Sequence, residues 1–275
     1  MHLCKYCALG NDYWILDPHY CFEMSPQEIQ SFCDRNWGLG GDGILYGPKQ
    51  KENTSGFFVD IYNADGTLAE ISGNGLTIFA RYLVDYQYIK LNESFNIIPS
   101  EYCKVNATCA AQNNQIISEI ILGKGYLETI LDYPVTQEFQ EKFSLPSLLK
   151  LYKVHMGNPH CVVPVEKVSR ILAETLGPIL EQHPAFPQKA NVQFVAYDLV
   201  TSHAQIEIWE RGSGYTLGSG SSSCAVACAL SYLKNETKTE FSLTMPGGKL
   251  TVHNNNNIFS FSNTAYKVVE IEIMP

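Results

Sequence analysis

Glu210-Arg211-Gly212-Ser213-Gly214-Tyr215-Thr216-Leu217-Gly218-Ser219-Gly220-Ser221-Ser222-Ser223-Cys224 is a polar, glycine-dense turn that runs straight into an apolar segment, Ala225 to Leu233. Glycine permits positive φ and close backbone approach to a ligand. Small hydroxyl residues ahead of an apolar run are helix N-cap chemistry. The stretch therefore predicts a strand ending at Trp209, a tight loop, and a buried helix whose first turn offers N–H groups at Ser219 to Ser222. A helix end of this kind suits an anion, a carboxylate as well as a phosphate.

The same device occurs earlier in the chain. Asn63-Ala64-Asp65-Gly66 is followed by Ser72-Gly73-Asn74-Gly75 and an apolar run to Leu83. Gly157 follows Gly10 by 147 residues, and Ser219 follows Ser72 by the same number. That single offset also superposes Asn11 on Asn158, Asn63 on Glu210 and Gly73 on Gly220. A period this long implies two related domains rather than a solenoid of short repeats.

A chain of 275 residues accommodates one large domain or two ordinary ones and can bury a sizeable core. The formal net charge of −9, without a basic cluster, argues against a nucleic-acid or anionic-membrane surface. No apolar run approaches the roughly 20 residues of a membrane span. Met1-His2-Leu3-Cys4-Lys5 lacks the apolar core of a signal peptide. Nine cysteines include a Cys4-x-x-Cys7 pair, and no second pair or nearby histidine completes a zinc site with it. Buried reduced thiols in a cytoplasmic protein are expected.

Read in order, Leu3 to Leu16 is a strand broken at Gly10-Asn11-Asp12. Ser25-Pro26-Gln27-Glu28 is an N-cap with Pro in the first turn, opening a helix to about Asn36. Gly38-Leu39-Gly40-Gly41-Asp42-Gly43 is a glycine loop without the order of a dinucleotide site, and Asp42 reads as a loop residue. Strands follow at Ile44 to Tyr46 and Gly56 to Tyr62, then a helix with Leu76, Phe79, Ala80 and Leu83 on one face. Phe95 to Leu122 reads as hairpins turning at Gln112-Asn113-Asn114, and Lys124 to Lys150 as irregular. Val168 to His183 reads as a helix, and Ala190 to Val200 and Ala204 to Trp209 as strands. Asn254 to Asn257 is a turn between strands, and Lys267 to Met274 a final strand that returns to the first domain.

Two such helix ends facing across a cleft could share one small carboxylate, with Ser72 and Ser219 on opposite sides of the bound molecule. Proton-handling groups on opposite faces of one carbon invert a stereocentre. The helix dipoles and N–H groups would stabilise the charge that develops on the carboxylate. No cofactor or metal is needed, and no motif calls for one.

Gly10-Asn11-Asp12, Gly38-Leu39-Gly40-Gly41-Asp42-Gly43, Asn63-Ala64-Asp65-Gly66, Ser72-Gly73-Asn74-Gly75, Gly157-Asn158-Pro159-His160 and Glu210-Arg211-Gly212-Ser213-Gly214 together resemble the diaminopimelate epimerase family, collinearly over nearly the whole chain. The resemblance implies an α/β (α+β) fold of two pseudo-symmetric domains. Each would be a curved, mainly antiparallel sheet around a central helix, with the active site in the cleft between them. The domains are expected at residues 1–121, with strand 263–275 returning, and 122–262. The family implies cofactor-independent, two-base interconversion of LL- and meso-2,6-diaminopimelate, on the route to lysine and cell-wall precursors. Its partner is that small molecule; neither nucleic acid nor membrane is implied, and a homodimer is left open.

By the same resemblance, Ser72 and Ser219 occupy the positions of the two acid/base cysteines. Gly73, Asn74, Gly220 and Ser221 would hold the reacting carboxylate, and Glu210 the reacting amino group. Asn11, Asn63, Asn158, Asn191 and Arg211 would grip the substrate, Arg211 by a bidentate pair with the distal carboxylate. His160 would tune the Ser72 position.

Both cysteine positions are serine here, and a hydroxyl is a far weaker acid than a thiol. Paired swaps at repeat-equivalent positions read as an engineered inactive variant that keeps its binding site; a natural serine form with altered chemistry is the other reading. Thr77, Tyr215, Ser221-Ser222 and Gly43 also depart from the family, where arginine, glutamate, Thr-Gly and glutamine are usual. A hydroxyproline-dehydratase-like lyase and a non-catalytic amino-acid-binding protein are the alternative functions.

Overall fold

A computed structural model describes residues 2–50, 54–69, 71–100, 103–198 and 200–272. The chain divides into two units, Met1–Ile121 with Ser262–Pro275, and Leu122–Phe261.

Unit 1 carries β1 (His2–Ala8), β2 (Asn11–Leu16), α1 (Pro26–Cys33), β3 (Gly43–Lys49), β4 (Phe57–Asn63), α2 (Gly73–Asp85), β5 (Ser94–Ser100), β6 (Cys103–Gln112) and β7 (Gln115–Lys124). Unit 2 carries β8 (Tyr126–Pro134), α3 (Gln137–Phe143), β9 (Leu148–His155), β10 (Pro159–Pro164), α4 (Arg170–Glu181), β11 (Asn191–Asp198), β12 (His203–Glu210), β13 (Gly214–Thr216), α5 (Gly220–Lys234), β14 (Lys238–Met245), β15 (Gly248–Asn255) and the start of β16 (Ile258–Thr264). The last strand, β17 (Tyr266–Glu272), pairs antiparallel with β1.

The pairing pattern repeats. In unit 1, β1 and β2 form a hairpin, β2 runs parallel to β3, β3 antiparallel to β4, β4 parallel to β5, and β5 antiparallel to β6. Unit 2 repeats this series with β9, β10, β11, β12, β14 and β15. One register differs: Tyr13 faces Gly43, whereas His160, its equivalent at the 147 offset, faces Asn191, one residue further on.

Each unit encloses one helix almost completely. The period in α2 predicts one apolar face, yet Thr77, Ile78 and Tyr82 are buried along with Leu76, Phe79, Ala80 and Leu83. In α5, Ser222 to Ser231 are buried without interruption. Its small Ala, Ser and Cys side chains let neighbouring strands approach from all sides, which is the sequence signature of a fully buried helix. Gly220 opens α5 because a Cβ there would lie 2.6 Å from the Phe261 ring. A second cluster lies under α1 (Leu3, Trp14, Leu16, Ile29, Ile44), and another under α4 (Leu151, Val163, Leu172, Leu176, Val192).

Two expectations need correction. The first helix stops at Cys33, not Asn36, because Asp34 is extended and caps the turn that follows through its bonds to Asn36 N and Trp37 N. Lys124 to Lys150 is not irregular: β8 pairs with β9 from Tyr126↔His155 to Pro134↔Leu148, and Thr136 caps α3. No β8 residue is fully buried, and Glu128 pairs with Lys153 at 2.9 Å, so charge masked the strand alternation. The other elements fall within a few residues of their expected bounds, and all nine cysteines are free.

Gly43 tests the packing between strands. A Cβ there would collide with the Tyr62 carbonyl oxygen and lie 2.8 Å from the Tyr13 ring, so the family's glutamine could not enter without moving the β3–β4 ladder. Gly43→Ala is expected to lower unfolding stability by about 1–3 kcal/mol in urea titrations, as overpacking does.

Candidate functional site

In unit 1 the hairpin turn is two residues, Leu9 and Gly10, at φ 48° and 82°, which places Asn11 at the head of β2. Ser72 N-caps α2, its Oγ accepting from Gly75 N at 3.1 Å, and the Tyr13 hydroxyl lies 3.3 Å from the same oxygen. Gly73 and Asn74 form the first turn behind it. The Asn74 amide donates to Asn11 Oδ1, and Asn11 Nδ2 donates to Asp42 Oδ2 at 3.0 Å. Asp42 is held in turn by Asp12 N at 3.1 Å and by Arg35 Nη2 at 2.7 Å. Asp42, read from sequence as a loop residue, therefore orients Asn11. Asn63 ends β4; its carbonyl accepts from Gly66 N at 2.9 Å and its amide donates to Thr67 Oγ1 at 3.0 Å.

Unit 2 repeats these turns. Gly157 (φ 90°) precedes Asn158, and Ser213 N closes a turn on the Glu210 carbonyl at 3.1 Å, as Gly66 N does on Asn63. Ser219 N-caps α5 without a side-chain cap bond. Its Oγ lies 3.4 Å from Ser221 Oγ. Burial raises the Glu210 pKa above the ordinary carboxylate value, and the nearby Ser219 and Thr216 hydroxyls oppose only part of that rise. Asn191 accepts Arg211 N at 2.9 Å, and Arg211 Nη1 donates to Gln188 O at 3.0 Å.

His160 is fully buried, with Nε2 2.8 Å from Asn158 Oδ1 and Nδ1 3.1 Å from Gln193 Nε2. Gln193 Nε2 also donates to Ser222 Oγ at 3.0 Å. Burial lowers the His160 pKa to about 3, so the ring stays neutral. Half-buried Asn158 and buried His160 and Ser222 thus form one bonded group with Gln193, a residue the sequence reading missed. A lone polar residue inside the apolar run Val192-Gln193-Phe194-Val195 was the available signal. Thr77, another departure from the family, donates to Gly73 O at 3.0 Å inside α2.

Elsewhere in unit 1, His2, Cys4 and Glu270 place ligand atoms within 4.8 Å of one another, so Cys4 does have a nearby histidine. This group is bonded internally: His2 Nε2 lies 2.6 Å from Glu270 Oε1, and Lys267 Nζ 2.7 Å from Glu270 Oε2. Among the described residues, no helix is long and apolar enough to cross a membrane.

In each unit a mixed sheet surrounds a buried helix that opens on a polar N-cap, and solved structures share this architecture. A hydroxyproline epimerase from Agrobacterium vitis, solved with bound trans-4-hydroxy-L-proline, matches with a TM-score of 0.73 at 12% identity, over 98% of this chain and 91% of that one. A PhzF-family phenazine biosynthesis protein from Bacillus anthracis matches with a TM-score of 0.72 at 15% identity, over 100% and 99%. Likeness at such identity establishes the fold. The sequence matches the family described as diaminopimelate epimerase over residues 3–115 and 152–266, and the chain belongs to that family. It is 36% identical to diaminopimelate epimerase 2 of Nostoc sp. (strain PCC 7120), over 99% of this chain and 95% of that protein. With the diaminopimelate epimerase of Leptospira biflexa it shares 31% identity over 97% of each.

Two pH effects follow. His160 is depressed to about 3 when folded, against about 6.5 unfolded, so between these values the unfolded chain binds a proton that the folded chain does not. Its contribution to stability is complete above about pH 6.5 and is lost as pH falls towards 3. Urea midpoints should therefore fall from pH 7 to pH 5, and less steeply in His160→Gln. For Glu210 the folded pKa is raised, so the ionised carboxylate weakens the fold at neutral pH. Glu210→Gln should raise the midpoint at pH 7.

Proposed function

We propose that this chain is built for the two-base interconversion of LL- and meso-2,6-diaminopimelate without a cofactor. Ser72 and Ser219 stand where the proton-transferring groups act, one for each face of the α-carbon. The observation that carries the reading is the repeat-equivalent pair of N-cap serines heading two buried helices, in a chain of this family. The first turns of α2 and α5 supply N–H groups for the reacting carboxylate, and their dipoles stabilise the charge that spreads onto it when the α-proton leaves. Glu210 accepts from the substrate ammonium. Arg211, with Asn191 fixed on its backbone, favours a substrate with a second, distal carboxylate over a small cyclic imino acid. The overall net charge of −9 fits a cytoplasmic enzyme of a small metabolite.

Proton transfer itself is disabled in this reading. A thiol titrates near 8.5 and is readily lowered by neighbours, whereas a serine alkoxide is scarcely accessible in water. Losing a general acid/base costs about 10²–10⁴-fold, and losing both should nearly abolish turnover. Binding groups are untouched by the swap of sulfur for oxygen.

The α-proton exchange of LL-diaminopimelate in deuterated water tests this, on this chain and on Ser72→Cys/Ser219→Cys. The cysteine form should exchange and epimerise, and this chain should bind without exchanging. Equal exchange by both would mean that serine is a working base; no binding by either would overturn the substrate assignment.

A further inference from the structure

Gln193 lies fully buried in the middle of β11. Its amide nitrogen is 3.1 Å from His160 Nδ1 and 3.0 Å from Ser222 Oγ. An amide nitrogen carries two hydrogens, and each here has an acceptor. Gln193 Oε1 has no partner among the described residues. Turning the amide over would strand two buried N–H groups in place of one carbonyl oxygen, and orphaned buried N–H groups are the rarer defect. His160 Nδ1 is thus the acceptor, and the neutral ring carries its proton on Nε2. That Nε2–H donates to Asn158 Oδ1 at 2.8 Å. That bond fixes which end of the Asn158 carboxamide meets the ring: Oδ1 spends one of its two lone pairs there, and the NH2 is left to donate elsewhere.

We propose that Gln193 is a positioning residue: through the His160 tautomer it fixes Asn158 with Oδ1 on the ring and the NH2 free to donate, so this position favours a carboxylate oxygen over an ammonium. Ser222 anchors the other hydrogen of the same amide in the first turn of α5. The helix end and the Asn158 turn are therefore set by one side chain. The ligand half of the proposal rests on the function proposed above; the tautomer half does not.

Two-bond ¹H–¹⁵N correlation on the full-length labelled chain reads the tautomer, with His160 assigned by its absence in His160→Gln. The expected signal is a neutral ring protonated at Nε2. Gln193→Met, which removes the donor, should mix the tautomers and weaken diaminopimelate binding by about three- to tenfold, the worth of one hydrogen bond. A side chain that merely filled space would lower the melting temperature and leave the tautomer alone. Should Gln193→Met fail to fold, Gln193→Glu keeps the volume but accepts instead of donating, and should move the proton to Nδ1. An Nδ1–H ring in the unaltered chain, or an Nε2–H ring that survives either substitution, would overturn the proposal. If the unaltered chain does not bind diaminopimelate, the substrate reading fails while the tautomer still decides the role of Gln193.

Discussion

A buried helix N-terminus must find acceptors for its first N–H groups, and each unit of this protein is arranged around that requirement. Strands and loops enclose α2 and α5 nearly all round, so their first turns receive little help from solvent. Ser72 meets the demand partly with its own hydroxyl, which accepts from Gly75 N. Ser219 makes no side-chain cap bond, and its hydroxyl lies 3.4 Å from Ser221 Oγ. Equivalent positions in the repeat have thus diverged: one hydroxyl caps its helix and the other does not.

The two equivalent asparagines have diverged in the same manner. Asn11 is held by a charged chain through Asp42 to Arg35, with Asn74 on its oxygen. Asn158 is held by a neutral chain through His160 and Gln193 to Ser222. An imidazole that stays neutral near pH 7 can orient a neighbour without adding charge. A role for His160 as an acid or base fits poorly with a pKa near 3. The geometry favours His160 as a support for Asn158.

Much of this was legible in the sequence because turns need particular residues. Gly10 and Gly157 both have positive φ, so at that pair the 147-residue offset records backbone geometry as well as residue identity. The apolar run after Ser219 announced a buried helix for the same reason. What stayed hidden was set by tertiary pairing. β8 exposes charged residues along an edge that only β9 explains. Asp42 and Gln193 act on partners 31 and 33 residues distant, Asn11 and His160, which no local pattern could supply. Register, too, is tertiary: the one-residue slip that sets Asn191 beside His160 departs from the repeat.

A thiol and a hydroxyl differ far more in acidity than in size, and on the function proposed above the chemistry turns on that difference at Ser72 and Ser219. If each unit serves one face of the substrate carbon, restoring one thiol should restore one face alone. Ser72→Cys and Ser219→Cys, made separately, should each exchange the α-proton of only one configuration of diaminopimelate in deuterated water, and opposite ones, with no epimerisation by either. Exchange of the same configuration by both variants, or of both configurations by one, would contradict the division of labour between the two helix ends.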